Sequence, residues 1–473
     1  MEPKTKIVAT LGPASRSKEM IETLILNGVN VFRINLSHDV HEKHREVIRI
    51  IKELDKKYKS HVAILSDLQG PKLRIGDVEN DSIELMDGQE IIFTTRNCMG
   101  NPACLYMSYQ EFAKDVKPGE AILIDDGKIK LEVIRTDGKE DVVAKVIHGG
   151  TLTSKKGVNL PNTKISLPSL TEKDIEDARF AIAEGVNWIG LSFVRSAADM
   201  EPLREMIQAA NAPISIIAKI EKPEAFSNID EIIREADGIM VARGDLGVEM
   251  SFDSVPILQK MIVRKCLATA KPVIIATQML ESMISSFRPT RAEANDVANA
   301  VMDGSDAVML SGETSVGNFP VEAVQAMRQI VTYTEDHGFE YGKEIFQPDP
   351  TQRSFIRDSI CYNAFRMSQQ VHVKAIVVFT NSGYTARRIA SYRPYAKIYA
   401  FTNNPNLIYK MSVLWGTKAY FYEEFENTDE AIAESIKILR EENVVDTGDN
   451  ILHVGNIPIE KKGSANMIRL SRL

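Results

Sequence analysis

The chain has 473 residues, of which 44% are hydrophobic and 26% charged, close to the average for soluble globular proteins. This balance excludes collagen, coiled coils and wholly disordered chains, and the length suffices for about three domains at roughly 150 residues each. Lysine plus arginine total 57 against 65 aspartates plus glutamates, and the net charge of −8 argues against nucleic acid as the main partner.

Nothing in the sequence predicts a membrane segment or an export signal. The apolar runs are short, and residues 1–6 enter a strand-like pattern without the apolar core of a signal peptide. The four cysteines lack CxxC spacing, so we expect reduced thiols and no structural zinc. These features are typical of a cytoplasmic protein.

Short β-branched runs alternate with amphipathic helical stretches in the first 67 residues. This pattern predicts three strands, at 6–10, 29–35 and 62–67, with helices at 18–27 and about 41–58 between them. The arrangement is that of successive βα units.

A change of pattern between residues 70 and 168 predicts an insertion. The apolar residues there alternate with a period near two, and Asp-Gly turn signals interrupt them at 87–88, 126–127 and 137–138. We therefore expect a separate β-rich domain inserted into the βα series.

The βα pattern resumes at Thr171, which forms a capping-box-like start with Asp174. Five further strands, each followed by a helical stretch, are predicted at 186–193, 214–220, 238–242, 272–277 and 307–310. With the three before the insertion they make eight βα units, which predicts a (β/α)8 TIM barrel. An open, doubly wound parallel sheet has the same local pattern and is the alternative.

A pause in the βα pattern between His337 and Pro350 indicates a domain boundary. Beyond it, strands near 374–380, 397–402, 418–422, 451–454 and 467–470, with helices at 351–368 and 429–442, predict a C-terminal α/β domain. The predicted division is 1–69 and 169–340 for the barrel, 70–168 for the insertion and 341–473 for the C-terminal domain.

Active sites of TIM barrels lie at the C-terminal ends of the strands, where six of the eight predicted strands end in polar residues. Glu221 and Asp245 follow neighbouring strands and can hold Mg2+, which takes one or two protein carboxylates besides substrate oxygens. Gly244 permits close approach of the backbone to a ligand. Rim carboxylates without a metal, and a plain turn glycine, are the alternatives.

Lys219 lies in an apolar strand, where burial is costly unless the ammonium is paired. Pointing inward, it can neutralise charge during phosphoryl transfer, and Schiff-base chemistry is the rival role. A lysine pointing outward between helices is the structural alternative.

Arg33 and Arg74 offer forked donors for phosphate oxygens, and Lys156 lies in a Lys-Lys-Gly turn that can reach a nucleotide phosphate. Arg74 follows Gly70 and Pro71 at the entrance to the insertion, so the insertion can close as a lid and exclude water. Surface ion pairs and a solvated turn are the alternatives.

These residues, taken with their neighbours, resemble the pyruvate kinase family, and the similarity runs over nearly the whole chain. The segments that carry it are 10–15 (TLGPAS), 32–38 (FRINLSH), 155–161 (KKGVNLP), 218–221 (AKIE), 242–247 (ARGDLG), 276–283 (ATQMLESM) and 288–293 (RPTRAE). The resemblance implies a barrel with a β-rich lid, a C-terminal regulatory α/β domain, and Mg2+-dependent transfer of phosphate from phosphoenolpyruvate to ADP.

The resemblance also implies roles for particular residues. The substrate-binding and catalytic residues it implies are Arg33, Lys219, Gly244, Asp245 and Thr277, with Thr277 where the enolate is protonated. It assigns Mg2+ to Glu221 and Asp245, and the nucleotide, arriving with a second Mg2+, to Asn35, His38, Arg74 and Lys156. A homotetramer is the expected assembly.

One departure concerns K+, which many family members hold with Asn, Ser, Asp and Thr side chains near a Glu. Asn35, Ser37 and Asp67 are kept here, but Leu68 stands at the Thr position and Lys72 at the Glu position. A fixed ammonium carries the charge of K+, so we predict catalysis without K+. The alternative is that Lys72 points to solvent and K+ still binds.

Thr380, Asn381, Ser382, Gly383 and Thr385 lie between a predicted strand and a predicted helix. Such a loop suits a phosphate and resembles the loop that holds a phosphorylated allosteric effector in relatives, whereas simple helix capping is the alternative. Two rival functions remain open at this point. A Mg2+-dependent lyase or aldolase would not depend on ADP, and a catalytically silent sensor would be expected to have lost Lys219, Glu221 or Asp245.

Overall fold

The computed structural model describes residues 2–343, 346–423, 427–457 and 465–473. Eight parallel strands close into a barrel, since the last strand pairs with the first, with Lys6 beside Ala307. The closed barrel confirms the predicted TIM fold and excludes the open sheet. The barrel strands are Lys6–Leu11, Val31–Asn35, Ala63–Asp67, Trp188–Leu191, Ser215–Ile220, Gly238–Ala242, Val273–Ala276 and Ala307–Leu310.

Helices surround the barrel and bury their apolar faces against it. Helix 172–183 begins with the predicted capping box, in which Thr171 and Asp174 exchange side-chain-to-backbone hydrogen bonds. The longer helices are Lys18–Leu26, His41–Tyr58, Glu172–Ala183, Glu201–Ala209, Ile229–Glu235, Arg243–Glu249, Val255–Thr269, Arg291–Met302 and Pro320–His337. The shorter ones are Ala197–Met200, Glu224–Ser227, Glu281–Ile284 and Gly312–Ser315.

The insertion forms a six-stranded sheet and a two-stranded sheet. Alternate residues of the strand Ile129–Thr136 are buried, as its period of two predicts. The insertion has its own core, in which Phe93 and Phe112 meet edge to face at 5.9 Å. Its other strands are Ser82–Leu85, Glu90–Thr94, Cys104–Tyr106, Ala121–Ile124, Asp141–His148, Gly150–Thr153 and Val158–Asn159, and its short helices are Glu79–Asp81 and Phe112–Asp115.

The C-terminal α/β domain has a five-stranded sheet with an antiparallel edge strand, Met467–Arg472. The remaining strands, in sheet order, are Thr417–Phe421, Lys397–Thr402, Ala375–Phe379 and Asn450–Gly455. The helices are Phe355–Gln370, Tyr384–Ser391, Pro405–Lys410, Met411–Val413 and Thr428–Glu441. The first helix begins four residues later than predicted, after a stretch of bends and turns.

A buried ion pair joins the barrel to the C-terminal domain. Arg393 is 5% exposed, and its Nη2 lies 2.9 Å from Asp306 Oδ2 at the base of the barrel. The same guanidinium donates to the carbonyl oxygen of Gly304 at 2.6 Å, and Asp306 Oδ1 accepts the N–H of Trp415 at 3.1 Å. Because each charge is buried and hydrogen-bonded, removing either partner would leave an uncompensated buried charge between the two domains. Across the described ranges, no helix has the length and apolar character that crossing a bilayer requires.

Candidate active site

Arg33, Asp67 and Lys219 meet at the mouth of the barrel, at the ends of the second, third and fifth strands. Arg33 Nε and Nη2 lie 2.7 and 2.6 Å from Asp67 Oδ2, and Lys219 Nζ lies 3.1 Å from Asp67 Oδ1. Burial tends to raise the pKa of Asp67, but Lys219 and Arg33 outweigh it and lower the pKa below its ordinary value. Asp67 is therefore an ionised anchor for both cations.

The ammonium of Lys219 points inward and is surrounded by oxygens. Nζ lies 3.0 Å from Glu221 Oε1 and donates to the hydroxyl of Ser192 at 2.7 Å. Burial alone would lower the pKa of Lys219, but the carboxylates of Asp67 and Glu221 raise it above its ordinary value. A Schiff-base lysine needs a neutral amine, so this environment favours a permanent positive charge.

Glu221 and Asp245 are the two carboxylates predicted to hold a divalent cation. Glu221 is 1% exposed and accepts the N–H of Phe193 at 2.7 Å, while Asp245 is half-buried in the first turn of Arg243–Glu249. Burial raises the pKa of Glu221, Lys219 opposes this effect, and repulsion from Asp245 adds to it. A cation between the two carboxylates relieves that repulsion, so this pair fits Mg2+.

No group of three or more metal-ligating His, Cys, Asp or Glu side chains occurs within the described ranges. Two protein carboxylates would leave the other positions around a divalent cation to substrate oxygens and water, and Mg2+ commonly binds phosphorylated substrates in this way.

Thr277 has strained backbone geometry beside Gly244. Its φ angle is 67°, which is rare for a β-branched residue and costs on the order of 1–3 kcal/mol. The N–H of Gly244 donates to Thr277 Oγ1 at 2.7 Å, and Arg243 Nη2 donates to the Thr277 carbonyl at 2.9 Å. A Cβ at residue 244 would lie 3.3 Å from Thr277 Oγ1, closer than ordinary van der Waals contact. Strain of this kind clusters at functional sites.

The residues expected on the nucleotide side fall into two groups. Asn35 accepts the N–H of Ser37 at 3.1 Å and lies beside Asp67 in the barrel, and His38 is exposed nearby. In the insertion, Arg74 and Lys156 each have a local partner. Arg74 Nη1 donates to the Lys155 carbonyl at 2.9 Å, and Lys156 pairs with Asp125 at 2.8 Å. Within the described chain, no hydrogen bond joins the two groups.

Lys72 is exposed at the entrance to the insertion, beside Gly157. In the part of the chain that the structure describes, its ammonium forms no ion pair with Asp67, whose carboxylate contacts Arg33 and Lys219 instead. The structure thus brings Asn35, Ser37 and Asp67 together without Lys72.

The loop of residues 380–385 caps the helix Tyr384–Ser391. Gly383 has a φ of 76° and donates its N–H to Thr380 Oγ1 at 3.0 Å, and the N–H of Tyr384 donates to Ser382 Oγ at 3.4 Å. Asn381 lines a neighbouring cavity, and Thr385 is buried. The hydroxyls of Thr380 and Ser382 therefore accept backbone N–H groups at the start of the helix, whereas the N-cap residue Gly383 has no side-chain cap.

Sequence reasoning missed two features of the mouth. Ser192, just after the fourth strand, accepts from Lys219 and donates to the Leu68 carbonyl at 2.8 Å. A polar residue directly after a barrel strand is a candidate site residue, but the predicted strand 186–193 included Ser192 and so concealed this position. The second feature is Glu249, whose Oε1 accepts from Lys222 at 2.7 Å and from Asn159 of the insertion at 2.8 Å. No local pattern indicates this contact between domains.

A closed (β/α)8 barrel with buried, paired cations and carboxylates at the C-terminal ends of its strands is the arrangement of an enzyme's active site. Models of two domains of one family match the chain, the "Pyruvate kinase, barrel domain" over residues 2–324 and the "Pyruvate kinase, alpha/beta domain" over residues 358–471. The chain belongs to the pyruvate kinase family and is a transferase, as the resemblance implied.

Individual relatives agree with this assignment. The chain is 43% identical to a pyruvate kinase of Geobacillus stearothermophilus and 42% identical to one of Staphylococcus aureus strain MRSA252, and each match covers 99% of this chain and 80% of the relative. A crystal structure of a pyruvate kinase from Cryptosporidium parvum is similar, with a TM-score of 0.92 and 36% identity, and the match covers 99% of this chain and 96% of that chain.

Proposed function

We propose that this protein transfers the phosphoryl group of phosphoenolpyruvate to ADP, giving pyruvate and ATP, as the last step of glycolysis. The observation that carries the proposal is the ammonium of Lys219, which is buried at the mouth within 3.1 Å of three oxygens, beside Glu221 and Asp245. Phosphoryl transfer requires charge stabilisation and positioning rather than covalent catalysis, and this site supplies both.

The residues at the mouth have distinct tasks in the proposed reaction. Arg33 binds the substrate phosphate through its remaining N–H donors, while Asp67, together with the Thr10 hydroxyl that accepts from Nη1 at 3.1 Å, fixes its orientation. Lys219 stabilises the charge on the transferring phosphoryl group. Gly244, Asp245 and Thr277 hold the carboxylate end of the substrate, which requires the N–H of Gly244 to exchange its hydrogen bond to Thr277 Oγ1 for one to the substrate. Thr277 also organises protonation of the enolate. Bound at Glu221 and Asp245, Mg2+ would supply charge neutralisation to the substrate oxygens.

The nucleotide is proposed to bind between the barrel and the insertion, with its own Mg2+, at Asn35, His38, Arg74 and Lys156. The insertion acts as a lid in this proposal. Glu249 supports this role, because the hydrogen bond from Asn159 joins the last strand of the insertion to the barrel rim. A closed lid excludes water, so the phosphoryl group reaches ADP instead of being hydrolysed.

Catalysis is proposed to proceed without K+, because the ammonium of Lys72 can take the place of the cation beside Asn35, Ser37 and Asp67. Lys72 lines a cavity together with Asp245 and Glu249, where the insertion meets the barrel. In the structure Lys72 remains exposed, so the proposal requires its side chain to turn inward when the lid closes over substrate.

Pyruvate formation in buffer free of K+ and NH4+ tests both parts of the proposal. Rapid turnover with phosphoenolpyruvate, ADP and Mg2+ supports them together, and Lys72→Glu should then make the enzyme dependent on K+. Turnover that appears only after K+ is added would remove the role of Lys72 but leave the kinase activity. Absence of turnover with K+ present would overturn the activity itself.

The domain boundaries, the assembly and the effector site of the protein are also proposed. We divide the chain into a barrel of 1–69 and 169–340, a lid of 70–168 and a regulatory domain of 341–473, and we propose a cytoplasmic homotetramer. A phosphorylated effector is proposed to contact the loop of residues 380–385. Analytical ultracentrifugation tests the tetramer, since sedimentation as a monomer or dimer would contradict it.

A further inference from the structure

Phe193 has a strained backbone just after the fourth barrel strand, Trp188–Leu191. Its φ angle is 55°, in the left-handed region where a bulky residue is an outlier. Such a conformation is unfavourable, and it persists only where the surrounding structure holds it in place. Its side chain is half-buried. Two contacts hold Phe193 in this conformation, one through its N–H and one through its ring.

The N–H of Phe193 contacts a carboxylate of the candidate metal pair. It donates to Glu221 Oε2 at 2.7 Å, whereas Glu221 Oε1 lies 3.0 Å from Lys219 Nζ. Each oxygen of this buried carboxylate therefore has its own partner. Hydrogen-bond partners of this kind fix the orientation of a metal-ligating side chain. The strained backbone of Phe193 thus places a donor where it orients Glu221 toward Asp245.

The ring of Phe193 contacts the entrance to the insertion. Gly70, where the chain leaves the barrel, is buried and has a φ of 69°. A Cβ at residue 70 would lie 2.7 Å from Phe193 Cδ2 and 2.9 Å from Ser192 Cβ, so the backbone of Gly70 packs directly against these two residues. Glycine meets both requirements at this position, the positive φ and the close approach.

The chain is anchored to the barrel up to Gly70 and leaves it beyond that point. The N–H of Leu68 donates to the Gly190 carbonyl at 3.0 Å, and the N–H of Gly70 donates to Asp174 Oδ1 at 3.0 Å. The next residues, Pro71 and Lys72, line a cavity between the insertion and the barrel together with Phe193. A movement of the insertion that turns the chain at Gly70 therefore changes the surface against which the ring of Phe193 packs.

We propose that Phe193 is a positioning residue that couples the metal-binding carboxylate Glu221 to the entrance of the insertion at Gly70. With the insertion in the observed position, Gly70 supports the ring, and the ring keeps the N–H of Phe193 on Glu221. When the insertion moves away, the backbone of Phe193 relaxes and Glu221 loses its donor. Binding of a divalent cation and closure of the insertion therefore favour each other. This inference rests on the proposed Mg2+ site and adds the residue that links it to the lid.

Binding of Mn2+ to the full chain, without substrates, tests the metal side of this coupling. Electron paramagnetic resonance measures the free ion. Phe193→Ala removes the ring and should weaken Mn2+ binding about tenfold, a typical effect of disturbing the partner of a metal ligand. Phe193→Tyr keeps the ring and should bind Mn2+ like the unmodified protein. Phe339→Ala is the matched control, because it removes a half-buried ring that stacks on Trp415 at 5.9 Å, and it should leave Mn2+ binding unchanged.

Amide hydrogen exchange of residues 68–72 measures the entrance to the insertion without catalysis. Saturating Mn2+ should slow exchange of the Gly70 and Lys72 amides in the unmodified protein and in Phe193→Tyr, but not in Phe193→Ala. Gly70→Ala disturbs the same contact from the other side, so it should weaken Mn2+ binding although residue 70 is not a metal ligand. Because the two residues share one contact, the effects of Gly70→Ala and Phe193→Ala on Mn2+ affinity should not add in the double variant.

The possible outcomes separate the role of Phe193 from the metal site itself. Thermal unfolding verifies that each variant is folded, and Gly70→Ala decides the question if Phe193→Ala does not fold. Mn2+ affinity that neither variant changes, or equal slowing of exchange in Phe193→Ala and the unmodified protein, would overturn the role of Phe193 and leave the metal site in place. Failure of the unmodified protein to bind Mn2+ at millimolar concentration would overturn both.

Discussion

Replacing Lys219 by methionine tests the assigned chemistry most directly, because it removes the charge and keeps much of the side-chain volume. The ammonium is held by Ser192, Glu221 and Asp67 at 2.7, 3.0 and 3.1 Å, so its position is fixed before substrate binds. A unit charge about 4 Å from the transferring phosphoryl group contributes about 4 kcal/mol at an effective dielectric constant of about 20. This corresponds to about a 10³-fold fall in kcat.

The KM for phosphoenolpyruvate should change much less, because Arg33 still binds the phosphate in the ground state. Pyruvate formation coupled to NADH oxidation by lactate dehydrogenase measures both constants. Lys222→Met is the matched control. Lys222 lies three residues further along the chain, and its side chain is similarly buried, with 8% exposed against 10% for Lys219. Its ammonium pairs with Glu249 instead of facing the mouth.

The Lys222→Met control should be less stable, because Glu249 is left buried without its cation. The kcat of this control should nevertheless stay within about tenfold of the unmodified enzyme. A folded Lys219→Met variant with kcat within about tenfold of the unmodified enzyme would refute the role of the ammonium. A comparable loss of kcat in Lys222→Met would show that general destabilisation, and not the missing charge, causes the effect.

Three further changes test neighbouring features. Ser192→Ala removes an acceptor from Lys219, and because a hydrogen bond to a charged group contributes about 1.5–3 kcal/mol, steady-state kinetics should show kcat about 10- to 100-fold lower. Asn159→Ala breaks the contact between insertion and Glu249, so the KM for ADP should rise about fivefold at nearly constant kcat, and an unchanged KM would contradict a lid. Burial, reinforced by Arg469, lowers the pKa of His453 to about 4, so the unfolded state binds more protons below pH 6.5. Stability should therefore fall by about 2 kcal/mol between pH 7.5 and 5 on account of His453. His453→Phe should lose that part of the pH dependence in urea unfolding, and equal losses in both proteins would contradict it.

The barrel could be predicted because its strands carry strong local signals. A strand that is buried on both faces has a short, continuous run of apolar residues. The bounds predicted from such runs agree with the observed strands Gly238–Ala242 and Ala307–Leu310. The fourth strand was predicted at 186–193 but spans only Trp188–Leu191. Phe193 has a φ of 55°, so the chain leaves the ladder there although Phe193 itself is apolar.

The site was predictable where residues follow strands directly, and less so where it depends on loops. Arg33, Asp67 and Lys219 meet because the geometry of a closed barrel brings strand ends together. The direction of Lys72 depends on the path of the chain after Gly70, which no periodicity specifies. The contact between Asn159 and Glu249 joins residues 90 positions apart, so it becomes visible only in three dimensions.

The ion pair between Arg393 and Asp306 affects how the nascent chain matures. Arg393 is made 87 residues after Asp306, which corresponds to roughly 4 to 17 seconds at about 5–20 residues per second. During this interval the barrel is nearly complete, but the carboxylate of Asp306 at its base lacks its partner, because Arg393 has not yet been synthesised. Chains that terminate early, before Arg393, retain this defect permanently and should be substrates for quality-control proteases, although every strand of their barrel is present.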